Sequence, residues 1–346
     1  MGSRDAGGLL PIRWSAVSVC VALLAGAAAA EPERVQVGAF VRNVEALNLE
    51  ENSYHASLVV WFKWKGEQDP TKRIRFVNLL EAWALTSAPV FDEPKELEGG
   101  VKYQQLVIEG RFFHKFWLGT FPLDWQKVVV ELEDTQRGTG EVVFDVDEAS
   151  ALAPGLSVPG WVVRAPIAEV REVTYPGNFG LPEAQVRSQV RFGVVLQRPS
   201  RVLFTTMLPP IVLVLLCCWF VFFLKPQHVE ARVGTVITAL LTVVFLQLAF
   251  TDDLPWLGST VLLDQLFNLS YVMTTAVLLE CVVVARWFDQ LQALEARGAT
   301  DEAVKLRERL ERLDVRARRW FPVAYVVCAA LIVLMGRGFD VFSIPV

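Results

Sequence analysis

The stretch Glu230–Pro255, EARVGTVITALLTVVFLQLAFTDDLP, decides how the rest of the chain is read. Between Arg232 and Asp252 it runs about 20 residues without a charge, close to what a helix rising ~1.5 Å per residue needs to cross a bilayer. Within it Glu230, Gly234, Thr238, Leu241, Phe245, Leu248 and Asp252 recur at spacings of 4, 4, 3, 4, 3 and 4. The mean period is about 3.7, so all seven share one face of a helix. That face carries an acid, a small residue, a hydroxyl, three large apolar residues and an acid. Several copies of it can line a pore: acidic rings at the mouths attract cations, the hydroxyl takes part in hydration, and the apolar girdle closes by dewetting. A buried bundle helix with its end charges among lipid headgroups gives the same pattern, and these residues alone leave both readings open.

Composition supports a membrane setting. Of the 346 residues 53% are hydrophobic, the mean hydropathy is +0.37, and the apolar residues are clustered. A net charge of −5 gives no sign of nucleic-acid binding. The five cysteines are Cys20, Cys217, Cys218, Cys281 and Cys328, so the polar half 31–200 holds no disulfide framework. The three histidines, His55, His114 and His228, are far apart. No metal site, cofactor or catalytic arrangement is expected.

Outward from that stretch, the N-terminus carries Arg4 and Arg13, then an apolar run ending in Ala28-Ala29-Ala30, and 1–30 reads as a secretory signal. Residues 31–200 read as all-β, with strand-like segments at Leu58–Trp64, Val128–Glu133 and Val186–Leu196. That length suits one two-sheet sandwich, with a strong turn at Tyr175–Pro182. Residues 201–346 hold a first span at ~201–224 with Pro209-Pro210, a second at ~229–250, a third at ~262–287 and a fourth at ~320–336. The connection ~289–319 predicts a charged amphipathic helix with a Leu306, Leu310, Leu313 stripe and i,i+4 pairs Glu308/Arg312 and Asp314/Arg318. Nine Lys/Arg in Arg286–Arg319 put that side in the cytoplasm, and both the N-terminal domain and the C-terminus outside.

Several motifs resemble one family. Ala231-Arg232-Val233-Gly234, Ile237-Thr238 and Leu240-Leu241-Thr242 are similar to the second membrane helix of glycine receptors, and Pro255 matches the proline that follows it. Val41–Trp64 has the rhythm of the first two strands of such receptors. Phe116–Gln126, FWLGTFPLDWQ, keeps Phe121-Pro122 and Asp124 of the signature loop, without the flanking cysteines. Arg198-Pro199-Ser200 matches the junction before the first span. The chain thus resembles the pentameric ligand-gated ion channels, the Cys-loop receptor superfamily. Glu230 stands where anion-selective members carry proline, and this, the missing cysteines and the short connection before the fourth span resemble the bacterial branch.

The resemblance implies an N-terminal immunoglobulin-like β-sandwich plus a C-terminal four-helix transmembrane bundle, assembled as a homopentamer in the bacterial inner membrane with the sandwich periplasmic. Membrane lipids and permeating monovalent cations are its expected partners, with an unidentified small-molecule agonist or protons as trigger. It implies that Glu230, Gly234, Thr238, Leu241, Phe245, Leu248 and Asp252 line the pore, that Leu241, Phe245 and Leu248 form the gate, and that Glu230 sets selectivity. Arg232 would point away from the pore into the subunit interface. Glu51 (or Glu50), Pro122, Asp124, Arg198 and Pro255 would couple the domains. Glu133, Tyr175, Phe179, Trp61 and Phe62 would meet the agonist, with Glu133 as counter-ion to an amine, although Thr135 leaves the aromatic box incomplete. Two rivals stay open: an anion-selective member, and a non-conducting membrane receptor or binding scaffold of the same fold.

Overall fold

The computed structural model describes residues 31–177, 180, 185–252, 254 and 260–343, with side chains through 335. The leader 1–30, Phe179 and Pro255 lie outside the described residues. The first part is built from β1 (Glu33–Asn48), β2 (Ser53–Trp64), β3 (Ile74–Phe76), β4 (Thr86–Pro89), β5 (Lys95–Leu97) and β6 (Val101–Phe113). It continues with β7 (Trp125–Asp134), β8 (Val142–Val146), β9 (Ala151–Leu152), β10 (Val162–Tyr175) and β11 (Gln185–Gln197). One sheet has the order β4-β6-β2-β1-β8, with β5 also on β6 and β9 on β1; the other has the order β10-β11-β7-β3. β1 runs antiparallel to β2 and parallel to β8 and β9.

Alternation in β2 explains why the sheets stack. Tyr54, Ala56, Leu58, Val60, Phe62 and Trp64 are all buried, while the residues between them face outward. From the other sheet Val190, Phe192, Val194 and Leu196 of β11 meet them, joined by Val128, Val130 and Leu132 of β7. Burying a side chain such as Phe62 or Phe192 stabilises the sandwich by about 1.5–3 kcal/mol. Gly193 lets β11 lie tight against β7, because a Cβ there would sit 1.9 Å from the Val128 carbonyl oxygen.

Four helices follow, each long and apolar enough to cross a membrane. The first spans Leu203–Phe223: a π-helical turn (Leu203–Met207), then α1 (Leu208–Phe220), then a 3-10 turn (Val221–Phe223). Pro209 and Pro210 remove two N–H donors directly after the π-helical turn, where the span departs from regular α geometry. The others are α2 (Val229–Thr251), α3 (Leu262–Ala296) and α4 (Thr300–Ser343).

The connection before the fourth span differs from the single helix expected at 289–319. α3 continues to Ala296, the chain turns at Gly298 with φ 74°, and α4 runs on without a break through Pro322. Gly298 supplies the positive φ that ends α3. The Leu306, Leu310, Leu313 stripe lies along this hairpin, with Leu310 and Leu291 both buried. Arg307 reaches Glu295 across the turn at 3.3 Å. Glu308 and Arg312 pair as expected at 3.8 Å, but Asp314 does not pair with Arg318: its partner is Arg232 of α2, at 2.6 Å.

Candidate permeation face and domain junction

α2 has two faces of opposite character. Glu230, Gly234, Thr238, Leu241, Phe245, Leu248 and Asp252 are all exposed, the three apolar ones at 54%, 61% and 60%. Arg232, Val236, Ala239 and Val243 are buried against the other helices. The seven residues sharing a face in sequence therefore form the side of α2 that its own subunit leaves uncovered. Glu230 occupies the first helical turn, where the N-terminal dipole favours an acid. The Thr238 hydroxyl donates to the Gly234 carbonyl at 2.8 Å, so its proton is committed within the helix and its lone pairs remain to accept.

Behind this face Arg232 is enclosed within its own subunit, not at a subunit interface as the resemblance implied. Its Nε donates to the Val221 carbonyl at 3.2 Å and its Nη2 to Asp314 Oδ1 at 2.6 Å. At the opposite end, Gln247 of α2 is tied to α3 by Nε2 donating to Asp264 Oδ1 at 3.2 Å and by the Tyr271 hydroxyl donating to its Oε1 at 2.6 Å.

The sandwich meets the helices through the loop 116–124. Phe116, Leu118, Phe121 and Leu123 are buried in the same core as Leu262, Leu263 and Phe267 of α3. The Gly119 and Phe121 carbonyls accept the N–H groups of Leu262 and Leu263 at 3.1 and 3.2 Å, and Pro122 follows a cis peptide bond. Orphan donors at the start of α3 are thus satisfied by the loop. Asp124 is fully buried. It accepts from Arg198 Nε at 2.7 Å and Gln126 Nε2 at 2.9 Å, and the guanidinium lies 4.2 Å from the Trp161 ring centroid. Glu51 does not join this pair. Its carboxylate binds Arg111 and Asn48 Nδ2, because the β1–β2 turn leans on β6, whose Arg111 also holds Glu81 at 3.1 Å. Residue types in the sequence could not rank Arg111 above Arg198 as its partner.

His114, singled out by nothing in the sequence, sits at this end of the sandwich. Its Nε2 is 3.3 Å from Gln126 Oε1 and its ring packs against Tyr54 and Phe116. Burial pushes its pKa down to about 4, so the ring is neutral.

The proposed agonist residues are dispersed or occupied. Phe62 is fully buried in the sandwich core, because it lies on the inward face of β2, and is closed to any ligand there. Trp61 lies on the outward face, donating from Nε1 to Asp147 Oδ2 at 2.8 Å. Burial alone pushes the Asp147 carboxyl up, but hydrogen bonds from Lys63, Trp61 and the Ala149 N–H hold it below its ordinary range. On the other sheet Glu133 and Tyr175 do come together, the hydroxyl donating to Oε2 at 2.8 Å. Burial, then Glu133, raises the pKa of Tyr175. Glu133 is fully buried and also binds Arg75, Arg187 and Gln189, so its carboxylate is already neutralised and does not stand open to an amine.

Residues 206–329, from the first span into α4, match the family model of the neurotransmitter-gated ion-channel transmembrane region. With four helices of membrane-crossing length, the chain is a multi-pass membrane protein. Its helical half is similar to the membrane part of the neurotransmitter-gated channels, which supports an ion channel as the class of this protein.

Proposed function

We propose that the chain is one subunit of a homopentameric, cation-selective channel of the bacterial inner membrane, opened by a ligand or by protons acting on the periplasmic sandwich. The observation that carries this reading is the uncovered face of α2, acidic at both ends and apolar between Leu241 and Leu248. Around a five-fold axis the Glu230 carboxylates lie within about one Debye length of each other, ~8 Å at physiological salt, and concentrate cations. Thr238 offers oxygen lone pairs to a partly dehydrated ion. Leu241, Phe245 and Leu248 close the path by excluding water and open it when the helices retract.

Coupling would run from the Arg198–Asp124 pair through the 116–124 loop to the start of α3, and from Asp264 and Tyr271 to Gln247 on α2. A trigger shifts gating only by binding the open form more tightly than the closed one.

Voltage clamp of oocytes expressing the chain tests the proposal, with external pH stepped from neutral to acid and sodium or chloride replaced in turn. A current reversing with the sodium gradient is expected; reversal with chloride would favour the anion-selective rival. Leu241→Ser is expected to open more easily or spontaneously, and an unchanged gating curve would count against the gate. A purified chain that carries no current under any trigger, small amines included, would favour the non-conducting receptor.

A further inference from the structure

We propose that Asp314, with Glu280 behind it, is a positioning residue for ion selection: it holds Arg232 behind α2, so that Glu230 alone sets the charge of the inner mouth. This rests on reading α2 as the pore-lining helix. Each subunit brings one acid and one guanidinium to this level, two residues apart. Were both to face the path they would cancel, so the sign of the mouth depends on where Arg232 is held. Its long side chain can snorkel in more than one direction, and the backbone position does not settle which.

Three other elements settle it. The 3-10 turn after α1 supplies the Val221 carbonyl, α4 supplies Asp314, and α3 supplies Glu280, whose charge acts on both Arg232 and Asp314. The Arg232 side chain is 1% exposed and that of Asp314 17%. Arg232 Nη1 and both Glu280 carboxylate oxygens are buried without a hydrogen-bond partner in the structure. Asp314 thus holds the guanidinium at 2.6 Å in an enclosed space, with the Glu280 side chain close enough to act on both. Removing the Asp314 charge leaves a buried cation short of its main partner, and such a group moves toward water or another anion. The nearest acid on its own helix is Glu230, and a guanidinium drawn there weakens cation preference.

The test measures reversal potentials of the full chain in a sodium chloride dilution series. Asp314→Asn is expected to shift reversal toward chloride, with a several-fold fall in the sodium-to-chloride permeability ratio relative to wild type. Asp314→Glu is expected to keep the wild-type ratio. In an Arg232→Gln background Asp314→Asn is expected to produce no shift, because the cation it releases is gone. Glu280→Gln is expected to shift reversal the same way by less, and it carries the test if Asp314→Asn does not reach the membrane. Unchanged reversal in these variants, or a shift that persists without Arg232, overturns the inference. A conducting wild type selective for chloride sinks both the cation reading and the claim that Glu230 sets the mouth, whereas a cation-selective wild type with unshifted variants sinks the inference alone. A wild type that conducts nothing sinks both.

Discussion

Phe62, Phe112 and Phe192 in the sandwich are shut away almost completely, whereas Leu241, Phe245 and Leu248 on α2 stand more than half exposed. The same chemistry has opposite placement because the two halves answer to different surroundings. The sandwich closes its apolar faces on each other, since water would otherwise cover them. In the helical half, four spans of membrane-crossing length leave much of their apolar surface uncovered, and the guanidinium of Arg232 is turned inward instead. Exposure in a single chain therefore means something different on β2 and on α2.

The contrast can be broken experimentally, the largest expected effect being at the junction of the two halves. Arg198→Ala leaves Asp124 buried with an uncompensated charge and should cost about 3–5 kcal/mol, read as a fall in the unfolding temperature of the full chain in detergent. A loss no greater than that of a surface ion pair would mean the pair does not hold the junction. Within the sandwich, Phe192→Ala should cost about 3–5 kcal/mol by opening a cavity. Leu241→Ala should change stability by no more than about 0.5 kcal/mol while altering the gating curve. Equal destabilisation by these two truncations would erase the distinction between the two kinds of apolar residue.

Acid adds a third handle. The folded-state pKa of His114 is lowered from 6.5 to about 4, so the unfolded chain binds its proton first. The contribution is fully present above pH 6.5 and is lost as pH falls toward 4, a difference of roughly 3 kcal/mol. His114→Gln should flatten the dependence of unfolding temperature on pH in that window; an unaltered slope would assign acid sensitivity elsewhere. The smallest effect is expected for Glu308→Ala on the exposed part of α4. Its pair with Arg312 is about two-thirds exposed on both sides, so its loss should change stability by no more than about 0.5 kcal/mol. A larger loss would show that the hairpin of α3 and α4 depends on surface charge rather than on Leu291 and Leu310.

Some partners were within reach of the sequence and others were not. Asp124 and Arg198 are recognisable because each sits in a short motif whose neighbours specify its place. Glu51 has no such frame, and its choice of Arg111 depends on how β1, β2 and β6 stack. Asp314 sits at helical spacing from Arg318, yet a more enclosed cation from α2 outcompetes that exposed neighbour. Phe62 and Trp61 are adjacent in sequence and opposite in space, so naming both as candidates left their faces undecided.

What the chain determined by itself is periodic and local: the alternation of β2 and β11 and the face of α2 that carries Glu230 through Asp252. These follow from 2.0- and 3.6-residue repeats, which hold whatever the element packs against. Only the tertiary structure decided which charges meet, that Arg232 is enclosed by Val221 and Asp314, that the 116–124 loop caps α3, and that Glu133 is already neutralised. Those outcomes depend on residues brought together over long stretches of chain, where burial makes one partner far stronger than another, and no local repeat encodes that distance.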